Sequence, residues 1–302
     1  MTLAILNIDW QTLADALSLG GIYALMAVGI GLVFGVLRLV NFAYGQLVMA
    51  GAYALAYGSQ WNLPVAVSIL FCFAVVLVLS FLMDVLVFRP LRGQSPAVML
   101  VATFAVAYLL QSIALLAFGS LGTAASSLYF LNVPWDIGGV LIRKIAIVSI
   151  LVAAGCLVLL KLLLDRTSVG LQMRAASMDF LTARLLGVRA NRVIGGAVLI
   201  SGLLAAVVAV MMTVRSPLVT PSFALTDTIV VLAGVVLGGL TRLVSATLGG
   251  FAIGFASGIL GGALPTNQSQ YLPTFLFAAV ILVLLVRPNG LFTRGGGAVE
   301  RV

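Results

Sequence analysis

The chain contains no histidine and only two cysteines. Without imidazole, histidine-based catalytic triads, histidine metal sites and imidazole proton relays are excluded. Cys72 and Cys156 each lie within an apolar run, where a cysteine most simply acts as a small buried hydrophobic residue. They indicate neither a disulfide framework nor a metal site, and we expect no catalytic residue, metal or cofactor in this chain.

Charged residues are also scarce, at 8% of the chain, against 63% hydrophobic residues and a mean hydropathy of +1.25. Such a chain cannot hide its apolar surface in one soluble core and must use lipid as its solvent. At about 20 residues per span, its length leaves no room for a sizeable soluble domain. The sequence therefore predicts an all-α polytopic membrane protein with a single transmembrane domain over residues 1–302.

Lysine occurs only at positions 144 and 161. A Walker A loop needs a lysine directly after glycine, whereas Arg143 and Leu160 precede these two lysines. Any ATP energy must therefore come from a partner. Acidic residues suited to an ion-coupled carrier at membrane depth are also few, and the only candidates are Asp84 and Asp227.

Apolar segments follow one another along the chain, and some are short enough to be broken or half helices. They are residues 13–37, 41–58, 62–88, 97–118, 142–164, 193–214, 227–240, 243–264 and 271–286. Pro90 discourages helix at Arg89, so residues 89–93 are predicted to form a basic turn. The pattern predicts eight to nine transmembrane segments.

Basic residues are distributed unevenly between the ends of these segments. If successive loops alternate sides, only Arg143, Lys144 and Arg215 of the 16 lysines and arginines lie opposite the polar segment 165–192. The positive-inside rule then places that segment and the C-terminus in the cytoplasm, and the N-terminus outside. Because the positive residues lie beside hydrophobic spans, the net charge of +8 is a topology signal and does not indicate nucleic acid binding.

The polar segment 165–192 is the only long polar stretch in the sequence. Leu171, Ala175, Met178 and Leu185 still recur within it at helical spacing, which is typical of a helix that docks on a partner. The alternative is a basic cytoplasmic loop held there by its charge alone.

Helix boundaries within this segment are signalled by short polar residues and glycine. Ser168 is placed to cap a helix start before Gly170, and Gly187 fits the left-handed position that ends a helix. Asp179 could instead cap a second short helix over residues 180–186. One helix and two helical pieces joined at a bend both remain open.

Two places in the sequence are typical of helix breaks at membrane depth. Residues 41–45 could open a half-helix capped by Asn41, and residues 238–250 are rich in glycine. Unpaired amides at such a start favour an anionic group such as a substrate carboxylate. The alternative is a tight cytoplasmic turn beside closely packed helices. The candidate residues of a translocation path are Asn41, Phe42, Tyr44, Gly45, Gln46, Thr241 and Ser245.

Five stretches, in the same order along nearly the whole chain, resemble the LivH-type permease of branched-chain amino-acid ABC transporters. They are GGIYALMAVGIGLVFGV (20–36), VNFAYGQLVMAGAY (40–53), FRPLRG (88–93), GLQMRAASMDFLTARLLGV (170–188) and VRPNGLF (286–292). The resemblance implies a permease in a bacterial inner membrane. Its implied partners are a second permease, two cytoplasmic ATP-binding subunits and a periplasmic or extracellular substrate-binding protein.

The resemblance also implies that segment 165–192 is the ATPase-coupling loop. Small residues suit this role, because a coupling helix must enter a groove on the ATPase. The implied coupling residues are Gly170, Leu171, Arg174, Ala175, Met178, Asp179, Ala183, Leu186 and Gly187.

The chain departs from the family pattern at both suspected breaks. Tyr44 stands where the family usually has histidine, and residues 240–246, with Arg242, replace a Gly-Ser-x-x-Gly type of turn. The expected substrate is therefore a branched-chain or related amino acid, with an amide or urea as the alternative. An ion-coupled carrier or channel and a membrane-embedded assembly protein are the competing classes, and co-purification of an ATPase would separate the permease from both.

The charge distribution predicts which introduced cysteines can be labelled from outside intact cells. Cysteines at positions 135 and 267 should react with an impermeant reagent, because the N-terminal side is expected outside. A cysteine at position 174 should be protected until the membrane is permeabilised. Labelling of position 174 in intact cells would overturn this topology.

Overall fold

The computed structural model describes residues 10–37, 40–91, 94–125, 128–137, 140–178, 180–239, 243–265 and 268–287. Within these ranges the chain folds almost entirely into α-helices, joined by loops with a few short strands. In chain order the elements are α1 (Trp10–Leu37), α2 (Tyr44–Gln60), α3 (Val65–Met83), α4 (Arg89–Leu91), α5 (Pro96–Phe118), β1 (Thr123–Ala124), β2 (Pro134–Ile137), β3 (Val140–Arg143), α6 (Lys144–Arg166), α7 (Ser168–Met178), α8 (Phe180–Leu185), α9 (Ala190–Arg215), β4 (Leu218–Val219), α10 (Leu225–Gly238), α11 (Leu243–Ala263) and α12 (Leu272–Val286).

Six helices in the described part of the chain are long and apolar enough to cross a membrane: α1, α3 with its extension to Leu91, α5, α6, α9 and α11. The apolar helices α10 and α12 are shorter, and α2 has 17 residues. Each predicted apolar segment corresponds to one of these nine helices. Among the short helices, α2 begins at one suspected break and α10 ends at the other. The prediction of an all-α polytopic protein is confirmed.

The helix α3 does not end before Pro90, so the turn predicted at Arg89 was wrong. A π-helical turn, Asp84–Phe88, joins α3 to α4, and the Arg89 N–H donates to the Asp84 carbonyl five residues back. A proline in an α-helix clashes with the carbonyl four residues earlier. The wider π turn shifts the hydrogen-bond register just before the proline, and the helix continues.

The helix α1 lies at the centre of the bundle, and every residue from Gly20 to Val33 is buried. It packs along α11, α9 and α6. The contact with α11 depends on small residues: a Cβ at Gly254 would lie 2.8 Å from the Leu19 carbonyl oxygen and 2.9 Å from the Gly20 Cα. Lipid tails are as apolar as leucine, so close packing of this kind replaces the hydrophobic effect as the force between membrane helices.

One end of the bundle contains Arg143, Lys144 and Arg215, the three basic residues predicted to lie on the side opposite segment 165–192. Arg143, which precedes Lys144, forms an ion pair with Asp15 of α1 at 2.8 Å, and Arg215 donates to the Asp15 carbonyl oxygen at 3.4 Å. Two antiparallel strand pairs, β1 with β4 and β2 with β3, form at this end. We call it the Asp15 end. That these segments lie together agrees with the predicted alternation of loops.

Gly254→Val should lower the thermal-unfolding midpoint of the purified protein, because the added side chain would meet the α1 backbone, which cannot move aside. Overpacking of this kind costs about 1–3 kcal/mol. The matched control is Gly261→Val on the same helix, where no atom lies within 4 Å of an added Cβ. Equal losses in the two variants would show that helix propensity, rather than the α1–α11 contact, sets the effect.

Candidate functional site

The helix α2 begins within the bundle, at a turn formed by residues 41–43. The Asn41 Oδ1 accepts a hydrogen bond from the Ala43 N–H at 3.1 Å, and no side chain caps α2 itself. Asn41 was predicted to cap the helix, but its side chain stabilises the turn before it. The amides that start α2 are therefore left without a side-chain acceptor.

The start of α2 lies alongside α1 rather than beyond its end. The Tyr44 ring packs on α1 at Gly29, where an added Cβ would lie 2.6 Å from the Tyr44 hydroxyl. At about 1.5 Å per residue, Gly29 lies about 12 Å inside the α1 end at Leu37. Even if both ends of this roughly 42 Å helix projected equally from a hydrocarbon layer of about 30 Å, Gly29 would lie within the layer. The break at membrane depth stays a prediction, which this position supports.

The start of α10 meets the start of α2. A Cβ at Gly45 would clash with the Thr228 hydroxyl and lie 3.1 Å from the Ala224 carbonyl oxygen, so the two first turns touch. The helix α10 also lacks a side-chain cap. Helix N-termini carry partial positive charge and free N–H groups. Two of them therefore converge inside the bundle, next to Asn41.

Three buried polar atoms near this junction have no hydrogen-bond partner among the residues that the structure describes. They are the Asn41 Nδ2, the Tyr44 hydroxyl and the Gln46 Oε1, and each residue is at most 1% exposed. A buried polar group left unpaired costs roughly 1–3 kcal/mol. Polar groups of this kind are satisfied by water or by a polar solute that passes.

Phe42 completes the junction on the α5 side. Its ring stacks on Phe104 with a centroid distance of 4.0 Å, and the Thr103 hydroxyl donates to the Val40 carbonyl oxygen at 3.4 Å. Phe104 and Thr228 were not predicted, since neither lies in a suspected break or in a polar run. Only long-range contacts bring them to the start of α2.

The second suspected break is a closely packed hairpin of α10 and α11. A Cβ at Gly234 would lie 2.6 Å from an Ile253 methyl group and 3.0 Å from the Gly249 carbonyl oxygen, and Gly239 adopts a φ of +105°. Ser245 is buried in this contact. The helices on either side of the suspected break are therefore closely packed, while residues 240–242 between them lie outside the described residues. Thr241 lies outside the described residues.

The described residues of the polar segment are helical on both sides of position 179, as α7 and α8, so one helix and two helical pieces both stay open. Thr167 caps α7, because its hydroxyl accepts the Gly170 N–H at 3.1 Å, so the prediction that Ser168 is the cap was wrong. Gly187 has a φ of +90°, and Val188 donates to the Ala183 carbonyl. This is a left-handed helix end as predicted. Asp179 lies outside the described residues.

The outer face of this pair of helices is apolar and uncovered. Leu171, Met178 and Leu186 are 62%, 86% and 82% exposed, and Leu185 lies beside them. Gly170 and Ala183, by contrast, are buried within the chain, and Ala183 is only 4% exposed. We call Leu171, Met178, Leu185 and Leu186 the α7–α8 apolar face. Ala175 is half-buried beside Leu171.

Charged and polar groups surround this face. Arg174 forms an exposed ion pair with Asp165 at 3.0 Å. A shallow groove of about 360 Å³ separates α7 from the start of α9, and its polar lining includes Ser168, Gln172, Arg189 and Arg192. The groove therefore offers guanidinium groups to an acidic partner.

Neither acidic residue considered for an ion-coupled carrier is a lone carboxylate. Asp84 is buried in the π turn and pairs with Arg89 at 3.0 Å. Asp227 accepts a hydrogen bond from the Tyr23 hydroxyl. Partners of this kind are expected of structural carboxylates as well as functional ones.

The amino-acid sequence matches a family model over most of its length. The family model for the permease component of branched-chain amino acid transport systems matches residues 12–286. The chain belongs to this family. It is therefore a permease component, a multi-pass membrane subunit of an ABC transporter.

Curated relatives of the permease cover nearly its full length. The high-affinity branched-chain amino acid transport system permease protein BraD of Pseudomonas aeruginosa is 29% identical over 304 residues, which cover 97% of each chain. The corresponding LivH of Escherichia coli K12 is 27% identical over 307 residues, again with 97% coverage of each chain.

Two solved structures share the fold of the permease. One is PsaBC from Streptococcus pneumoniae in complex with a Fab, at 14% identity, a TM-score of 0.53 and 93% coverage of both chains. The other is an ABC transporter described as of metal-chelate type in an inward-facing conformation, at 18% identity and a TM-score of 0.53. It matches 94% of the permease and 89% of that chain.

Gly45→Ala should reduce ATP-driven uptake by the assembled transporter in proteoliposomes, because the methyl group forces the first turns of α2 and α10 apart. Gly35→Ala is the matched control, since nothing lies within 4 Å of a Cβ there. Adding Thr228→Ala to Gly45→Ala should restore part of the loss by removing the clashing hydroxyl. Unchanged uptake in Gly45→Ala would show that the junction tolerates separation.

Proposed function

We propose that this permease forms the translocation path of an ATP-driven importer for branched-chain or related amino acids. It pairs with a second permease, two cytoplasmic ATP-binding subunits and a substrate-binding protein outside the membrane. The curated relatives, named for branched-chain amino acid transport, support the substrate class. The polar junction at Asn41 supports a small polar solute.

The α7–α8 apolar face is the observation that carries the ATPase assignment. Four large apolar side chains lie uncovered on short helices flanked by arginines, and the charge distribution places them in the cytoplasm, where lipid cannot cover them. Such a face needs a protein partner. We assign α7 and α8 as the coupling helices, with Gly170, Thr167 and Gly187 fixing their shape.

The opposite Asp15 end is assigned to the outer side, together with the N-terminus. The arginines of this end are held by Asp15, whereas the α7–α8 end leaves Arg189 and Arg192 exposed beside a groove. A docking surface for ATPases therefore fits the α7–α8 end. The receptor then delivers substrate to the Asp15 end.

The junction of α2 and α10 is assigned to the translocation path. The partial positive charge of two helix starts and the Asn41 Nδ2, which has no partner among the described residues, favour a substrate carboxylate here. Tyr44 and Gln46 add polar groups without partners. These groups can form hydrogen bonds with a passing amino acid.

Leu186→Glu and Met178→Glu should insert normally yet lose co-purification with the ATPase, because a carboxylate at the centre of an apolar interface is left desolvated and unpaired. We expect at least a tenfold weaker complex, corresponding to about 1.4 kcal/mol. Leu121→Glu is the control, since Leu121 is 93% exposed in the loop before β1, at the Asp15 end.

The measurement is detergent co-purification with the ATPase, together with receptor-stimulated ATP hydrolysis in proteoliposomes. Full complex formation and full stimulation in both glutamate variants would contradict the coupling assignment. Segment 165–192 would then be a basic loop that only sets the topology. Ala183→Glu is a poor probe, because this side chain is buried within the permease and its substitution would disturb α8 itself.

A further inference from the structure

We infer that one flank of α5 is covered, in the assembled transporter, by a transmembrane helix of the second permease. This flank carries Tyr108, Gln111 and Ser112, and we call it the α5 polar flank. The inference rests on the proposed function and extends it, because it assigns the surface of this chain that the second permease occupies.

The α5 polar flank lies near the middle of the membrane. The apolar span of α5 covers Ala97–Phe118, which is a length of about 33 Å at about 1.5 Å per residue. Tyr108 lies about 17 Å from the first residue of this span and about 15 Å from the last, so it lies near the centre of a hydrocarbon layer about 30 Å thick. Gln111 and Ser112 lie within one turn of it.

The side chains of this flank are uncovered in the single chain. Tyr108 is 68% exposed, Ser112 is exposed and Gln111 is half-buried. None of the three has a hydrogen-bond partner among the residues that the structure describes. Lipid tails offer no such partner, and tyrosine favours the membrane–water interface over the membrane centre. Lipid is therefore an unfavourable cover for this flank.

The opposite flank of α5 shows a different composition. Val106, Leu109 and Ile113 lie across the helix from Gln111, and all three are apolar. Leu109 and Ile113 are 58% and 51% exposed, as expected of side chains that face lipid. The exposed polar residues in the middle of α5 are thus confined to one flank. This uneven distribution indicates that the two flanks meet different surroundings.

The α5 polar flank adjoins the junction at the start of α2. Phe104, one turn before Tyr108, stacks on Phe42 with a centroid distance of 4.0 Å. Phe118, near the other end of α5, stacks on Tyr53 of α2 at 4.3 Å. Because both contacts are made with α2, the flank between them runs along this helix. It therefore lies beside the segment that the proposed function assigns to the translocation path.

Membrane depth decides which subunit can cover this flank. The ATP-binding subunits and the substrate-binding protein of the proposed complex lie outside the hydrocarbon layer and cannot reach the middle of α5. A water-filled space beside the flank would need a second protein wall, because lipid leaves polar groups unsatisfied. The second permease is the subunit that spans the membrane. Serine and glutamine side chains form hydrogen bonds across packed membrane helices, so the facing helix should carry polar side chains.

Photo-crosslinking from α5 distinguishes protein cover from lipid cover. The assembled transporter is irradiated in proteoliposomes after p-benzoyl-phenylalanine is introduced at position 108, or at position 109 as the matched control on the opposite flank. Position 108 should attach to a peptide of the second permease, identified by mass spectrometry, severalfold more than position 109, which should attach to lipid. Equal yields at the two positions, or attachment of position 108 to an ATPase or to the receptor, would overturn the inference.

A polar-to-apolar substitution tests the hydrogen bonds across this interface. Gln111→Leu should weaken the pairing of the two permeases severalfold, because an interhelical hydrogen bond is lost. Ile113→Leu is the control on the opposite flank and should leave pairing unchanged. The measurement is the fraction of paired permease on dilution in detergent, followed by native mass spectrometry. If lipid covered the flank, Gln111→Leu would not weaken pairing, so unchanged pairing in this variant contradicts the inference.

The outcomes separate this inference from the proposed function. If the transporter takes up substrate with ATP while position 108 attaches only to lipid, the assignment of α5 fails and the proposed function stands. If the wild type neither binds an ATPase nor transports with ATP, the proposed function itself fails.

Discussion

Close approach between helix backbones is the constraint on which this structure depends. In lipid, apolar side chains gain nothing by leaving their solvent, so helices associate through tight packing and hydrogen bonds. The contact of α1 with α11 supplies this packing at Gly254, and the α10–α11 hairpin supplies it at Gly234 and Gly249. The abundant glycine of the sequence is therefore structural in large part, and the central position of α1 follows from it.

The rigid centre allows two helices to begin inside the bundle. A helix start at membrane depth exposes amides that lipid cannot satisfy, so it is tolerated only where protein or water surrounds it. The starts of α2 and α10 meet this condition together, since Gly45 packs on the first turn of α10 and the Asn41 side chain bonds the Ala43 amide. Each of the two helix starts packs against the other. This explains why two helices far apart in sequence form one junction.

Composition and periodicity were sufficient to predict the class of fold and the order of apolar segments, because a membrane imposes span length on the sequence directly. Local signals also located the start of α2 and the left-handed helix end at Gly187. They failed where the answer depended on a neighbouring atom. Thr167 rather than Ser168 caps α7, and a π turn carries α3 through Pro90. Ala183 was expected to face a partner but lies buried within the chain. Helical spacing shows which residues share a helix face, but it does not show which face the rest of the chain covers.

The two ends of the molecule satisfy their side chains in different ways. At the Asp15 end, charges are paired or bonded within the chain, across helices α1, α9 and α10 and strand β3, so this end can hold its shape without a partner. At the α7–α8 end the apolar side chains have no cover within the described residues, while the glycine and threonine that shape the helices are fixed. A preformed apolar face loses little conformational entropy on docking. If α7 and α8 dock on an ATPase as proposed, they can pass a movement of that subunit to α6 and α9, the long helices that flank them, and α9 packs directly on the central helix.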